Sequence, residues 1–175
     1  MCSLERYKID LKALTDEVTT LEWDLDKHYF DALEQTEVEG GALHVSLSIR
    51  KASGFFELLF HTVGTVDVTC DRCLELMQQP IETDNHLIAR FGSVNSEDDD
   101  TVTVDENEGI LDLSWFIYEF IALAIPIQHV HETGKCNPAM TQALEELSAD
   151  RSGDVESNQP VDPRWEALKK LRMES

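Results

Sequence analysis

The densest chemistry in the chain lies in two cysteines set two residues apart, Cys70-Asp-Arg-Cys73. A turn between them can point both sulfurs at one tetrahedral cation, and thiolate is a strong zinc ligand. His129-Val-His131-Glu-Thr-Gly-Lys-Cys136 adds a third thiol and two imidazoles after a long apolar run. Cys70, Cys73, Cys136 and one histidine would complete a closed structural zinc shell, which leaves no position for a reactive water. His131 is preferred as fourth ligand, with His129 the alternative, because four residues including Gly134 give His131 room to turn back with Cys136. Two other readings stay open. Cys70 and Cys73 could serve as a thiol redox pair, although Asp71 and Glu75 oppose the lowered thiol pKa this needs and only Arg72 favours it. All three cysteines could also be small buried apolar side chains, a reading that ranks below metal and above redox.

No other arrangement points to catalysis, so the chain reads as a binding protein and not an enzyme. There is no GxSxG elbow, phosphate-binding glycine loop or HExxH, and His28, His44, His61 and His86 each stand alone as structural histidines do. With 35 acidic and 14 basic side chains the formal charge is −21, which repels phosphate backbones. DNA binding is therefore not expected, and direct RNA contact is left open. Such a surface suits a basic partner, or solubility alone. Glu5, Arg6, Lys8, Asp10 and Lys12 lie where a signal peptide would need an apolar core, so a cytoplasmic location is expected. The longest apolar stretch, residues 110–127, is broken by Asp112 and Glu119 and reads as a buried helix, not a membrane span. In a reducing compartment the four cysteines, Cys2 included, favour metal or free thiols over disulfides.

The elements that must position these groups define an α+β fold: an antiparallel meander packed against one long helix, with an acidic loop. Residues 1–148 are expected to form a single domain, followed by a disordered linker at 149–161 and an amphipathic helix at 162–175. Leu43, Val45, Leu47 and Ile49 alternate onto one face of a half-buried strand. Residues 55–63 and 66–69 read as the next two strands, joined through Gly64-Thr65, and the hairpin before them turns at residues 51–54. Residues 27–33 are more helical, and Gly40-Gly41 reads as a turn. Residues 113–124 are the strongest helix, with Asp112 as cap and Pro126 past the end. The seven carboxylates from Glu97 to Glu108 mark a solvated loop at about 92–109, with room for a short strand at 102–104.

The tail carries its own signal. Asp162 can cap a helix that starts at Pro163, and Trp165, Leu168 and Leu171 recur along one face. With Arg164, Lys169, Lys170 and Arg172 this is the one locally basic segment, suited to partner binding.

Four signatures in order, Val68-Thr-Cys-Asp-Arg-Cys-Leu-Glu75, the helix ending at Pro126, Cys136, and Asp162-Pro-Arg-Trp-Glu-Ala-Leu-Lys-Lys-Leu171, resemble the YceD-like proteins of bacteria and plastids. The resemblance spans about residues 69–172. It implies a ribosome-biogenesis factor that supports accumulation of large-subunit ribosomal RNA, with ribosome-assembly components as partners and no catalytic activity. Many relatives carry a further Cys-x-x-Cys-Gly segment after the helix. Here Cys136 stands without its partner, so a full shell requires a histidine.

Overall fold

The computed structural model describes residues 4–33, 37–92 and 100–148. The chain divides into one unit ending at Gln142 and a second starting at Ala143, of which only residues 143–148 are described. The expected linker and carboxy-terminal helix, with Pro163, Trp165 and Lys169, lie outside the described residues.

A 3-10 turn, Leu4–Tyr7, leads into β1 (Lys8–Asp10), then β2 (Val18–Leu25), α1 (Lys27–Leu33), β3 (Gly40–Ala52), β4 (Phe55–Thr69) and β5 (Leu76–Phe91). After these come β6 (Thr101–Val104), β7 (Ile110–Asp112), α2 (Ser114–Ala124) and α3 (Pro138–Leu147). Strands β2 to β5 form the expected antiparallel meander. The sheet is nevertheless mixed, because β6 pairs in parallel with β5, Ile88 opposite Thr101. β1 and β7 make a separate two-stranded ribbon.

Alternation builds the core. Leu43, Val45, Leu47 and Ile49 on β3 and Phe56, Leu58 and Phe60 on β4 are all buried, while His44 and Arg50 face out. Each such aliphatic side chain contributes about 1.5–3 kcal/mol on burial. Helix α2 covers this face through Ile117, Tyr118 and Ile121, with Phe120 edge-on to Phe60 at 5.2 Å. Tyr29 of α1 joins the layer and donates to the Ser114 carbonyl at 2.6 Å.

Two glycine-containing dipeptides behave differently from expectation. Gly64-Thr65 does not separate two strands but lies inside the continuous β4. A Cβ on Gly64 would sit 2.2 Å from the Ala42 carbonyl oxygen and 2.6 Å from Leu43 Cα, so glycine is there for close strand approach. Gly40-Gly41 likewise opens β3 instead of turning, and a Cβ on Gly41 would meet the Thr65 carbonyl at 2.6 Å. The true turn of this hairpin is Ser53-Gly54, with Gly54 at φ 91°.

The long buried helix expected across residues 110–127 is shorter and divided. Residues 110–112 pair as β7, and α2 has 11 residues. The cap position falls on Leu113, which has no side-chain donor or acceptor, and not on Asp112 as expected; the Asp112 carboxylate, one residue earlier, accepts from the Ser114 N–H at 2.9 Å and from its hydroxyl at 2.6 Å. Ile125 is extended (φ −70°, ψ 127°), as a residue before proline prefers, and this ends the helix. Trp115, Leu123 and Ile127 are exposed. No described helix is long and apolar enough to cross a membrane. In the acidic region, β6 and a turn at Asp105 occupy residues 100–109, where Lys12 donates to the Asn107 carbonyl at 2.9 Å. Residues 93–99 lie outside the described part.

Candidate metal centre

Between β4 and β5 the chain reverses around the cysteine pair. The Cys70 N–H donates to the Glu75 carbonyl and the Leu74 N–H to the Cys70 carbonyl, both at 2.9 Å. The Arg72 N–H points at Cys70 Sγ, 3.4 Å away. Closing the turn places Leu74 at φ 61°, a conformation that costs a residue with a side chain about 1–3 kcal/mol.

The segment after α2 is fastened alongside this turn at both ends. Asp71 and His129 exchange hydrogen bonds: the Asp71 N–H donates to the His129 carbonyl at 3.0 Å, and the His129 N–H donates to Asp71 Oδ2 at 2.8 Å. At the other end, Asn137 Nδ2 donates to Glu75 Oε1 at 2.7 Å while its Oδ1 accepts from the Ala139 N–H at 3.0 Å. Asn137 thus caps α3, whose first residue is Pro138.

His131 and Cys136 lie between these two fastenings. One donor atom each from Cys70, Cys73, His131 and Cys136 comes within 4.8 Å of all the others. The Cys70 and Cys136 sulfurs are 4.0 Å apart, and Cys73 Sγ lies 3.3 Å from His131 Nδ1. A disulfide would bring two sulfurs to about 2.05 Å. Tetrahedral zinc, with zinc–sulfur bonds of about 2.3 Å, places them roughly 3.8 Å apart. The donor set and its spacing therefore fit zinc, and the residues that would hold it are these four. Four protein donors fill a tetrahedral shell, which is the arrangement of a structural and not a hydrolytic site.

The thiols of the cluster are pushed in opposite directions. Burial pushes the Cys70 thiol up, but N–H groups from the Cys73, His131 and Arg72 backbone and the His131 side chain outweigh it and bring it down to about 6. Burial, together with the adjacent Cys70 and Cys73 sulfurs, pushes Cys136 up. Neighbouring sulfurs resist carrying charge together unless a cation lies between them.

His129, the alternative ligand, is not in the cluster. Its Nδ1 donates to the Pro126 carbonyl at 3.1 Å and its Nε2 lies 3.7 Å from Asp71 Oδ1. Among the histidines expected to be structural, His44, His61 and His86 each pair with a carboxylate: Asp24 at 2.9 Å, Asp84 at 2.8 Å and Glu57 at 3.5 Å. Sequence reasoning missed the tethering pairs Asp71–His129 and Glu75–Asn137, and it missed α3. The dipeptide Asn137-Pro138 carried the signal for that helix.

Fold and site together define a class: a small α+β domain whose meander bears a Cys3His cluster at one hairpin tip. The chain belongs to the family described as large ribosomal RNA subunit accumulation protein YceD, whose family model matches residues 58–172, more than half of its length. That match confirms the resemblance carried by the four signatures, and it contains all four donors. No curated protein and no solved structure matches the chain.

Proposed function

We propose that this protein is a non-enzymatic, cytoplasmic ribosome-biogenesis factor that supports synthesis, processing or accumulation of large-subunit ribosomal RNA by binding proteins. Membership of the YceD family is the observation that carries the reading, since it names the process. The charge of −21 supports a basic ribosomal protein or assembly component as partner over bare nucleic acid or DNA. One structural zinc ion held by Cys70, Cys73, His131 and Cys136 would cross-link the β4–β5 turn to the segment after α2. Residues 163–171, through Trp165, Leu168 and Leu171 flanked by Arg164, Lys169 and Lys170, would add a second contact.

A strain lacking the protein is expected to accumulate less mature large-subunit ribosomal RNA while the small subunit is spared at first. An unchanged subunit profile under both slow and fast growth would overturn this reading. The lowered Cys70 thiol favours a second reading, a redox protein built on the Cys70/Cys73 pair. Thiol titration of the native protein with and without chelator separates the two. Thiols that become reactive only after chelation support metal; a Cys70 thiol already reactive in the metal-loaded protein supports redox.

A further inference from the structure

Beside the cysteine turn lies a cleft of about 440 Å³, within the size range that takes a few side chains or a small ligand. Its floor is apolar and buried, formed by Val38, Val68 and Tyr118. Its walls are apolar and open to solvent: Leu74 is 66% exposed, and Ile127 is fully so. Glu37 and Asp71 stand at its edge, and neither lysine nor arginine lines it.

Exposed aliphatic walls gain by covering, since removing apolar surface from water is favourable. The two carboxylates decide what covers them. They repel phosphate and favour a cationic ligand, and the charge of the whole chain extends the same field outward. The occupant therefore needs apolar side chains flanked by lysine or arginine, which is the pattern of a basic amphipathic segment.

The two walls come from opposite sides of the Cys3His cluster. Leu74 follows Cys73 on the turn, while Ile127 precedes His129 and His131. The hydrogen bonds between Asp71 and His129 hold those sides together, so the spacing of the cleft depends on the same fastening that assembles the donors.

We propose that this cleft is the docking site for a basic amphipathic segment of a partner protein, with Leu74 and Ile127 packing its apolar side chains and Glu37 and Asp71 meeting its cations. The proposal rests on the protein-binding reading above and names the surface that performs it.

The test uses the full-length, metal-loaded protein and a synthetic 18-residue amphipathic peptide of leucine and lysine, compared with a peptide of identical composition scrambled to remove the apolar face. The amphipathic peptide is expected to bind at least tenfold more tightly and to shift the amide resonances of Leu74, Tyr118 and Ile127. Ile127→Glu, at a fully exposed position, is expected to lower that affinity at least tenfold. Glu37→Lys should lower it severalfold at low salt and less at high salt. Val18→Glu, on an exposed edge-strand residue away from the cleft, should leave binding unchanged. Equal binding of the scrambled peptide, or full binding by Ile127→Glu, overturns the proposal. So does a dimer that Ile127→Glu dissociates, which would assign the cleft to a second copy, a gain in peptide affinity in Trp165→Ala, which would assign it to this chain's own basic segment, or displacement of the peptide by single-stranded RNA. The subunit profile of the deletion strain fails or stands independently of these measurements. A normal profile removes the biogenesis role, whereas loss of peptide selectivity removes only the cleft.

Discussion

Removing metal from the Cys3His cluster should release a long cross-link, and its worth follows from chain separation. Cys73 and His131 are 58 residues apart, so a zinc ion holding both closes a loop of that order. The chain-entropy relation for a cross-link over about 58 residues gives roughly 14 cal/mol/K, or about 4 kcal/mol at 25 °C. For a protein of this size each kcal/mol moves the melting temperature by about 2–4 °C, so chelation should lower it by roughly 8–16 °C. The assay is thermal unfolding followed by circular dichroism, with zinc content measured on the same samples. Cys136→Ser should show a comparable loss, reduced zinc, and little further response to chelator. His129→Ala should keep its zinc, because His129 lies outside the donor cluster. An unmoved melting temperature on complete removal of bound zinc, or zinc lost in His129→Ala and retained in Cys136→Ser, would refute the reasoning.

Gly64→Ala should destabilise by about 3–5 kcal/mol in urea unfolding, since the methyl group meets strand backbone as well as an unfavourable φ. Gly54→Ala, with the same class of φ but open space around it, should cost only the strain of about 1–3 kcal/mol; equal losses would refute the close-approach account. The hydrogen bond that His44 Nδ1 donates to the Asp24 carboxylate raises the His44 pKa above 6.5, so the pair's contribution is full below about pH 6.5 and disappears as pH rises through the folded-state value. Imidazole resonances should show His44 titrating lower in Asp24→Asn, and an unchanged midpoint would count against the pairing. In the tail, Trp165→Ala should weaken partner capture more than Lys169→Ala with Lys170→Ala, because a desolvated aromatic anchor outweighs exposed charges. The reverse ranking with strong salt dependence would make the segment an electrostatic RNA contact.

Local pattern carried much of this structure. The alternation from Leu43 to Ile49 was sufficient to place β3 and its buried face, and Asp112 and Pro126 bracketed the helix that Ser114–Ala124 forms. Cys70 and Cys73 announced their own turn. Illegible features were those that depend on a distant strand. A glycine that turns the chain and a glycine that admits a neighbouring backbone look alike in one dimension, which is why Gly41 and Gly64 read as turns. The parallel pairing of β6 with β5 needs a partner that no local spacing names. For the cluster, room to turn back favoured His131, but the structure shows a further reason. Asp71 engages His129, so His131 is the imidazole that lies beside Cys73.

The ribbon of β1 and β7 has a consequence for where this protein can be cut. The family match starts at residue 58, yet the Tyr7 carbonyl accepts from the Leu113 N–H at the entry to α2, and β1 lies against the strand just before it. β3 meanwhile pairs with β4 along its whole length, from Gly40 opposite Asp67 to Ala52 opposite Phe55. A chain starting at residue 58 would keep every cysteine of the cluster but leave one flank of β4 bare, a template for sticking to other copies. It would also leave the helix without its anchor. The portion by which relatives are recognised thus draws part of its support from residues that precede it, and the cysteines alone do not make a folded site.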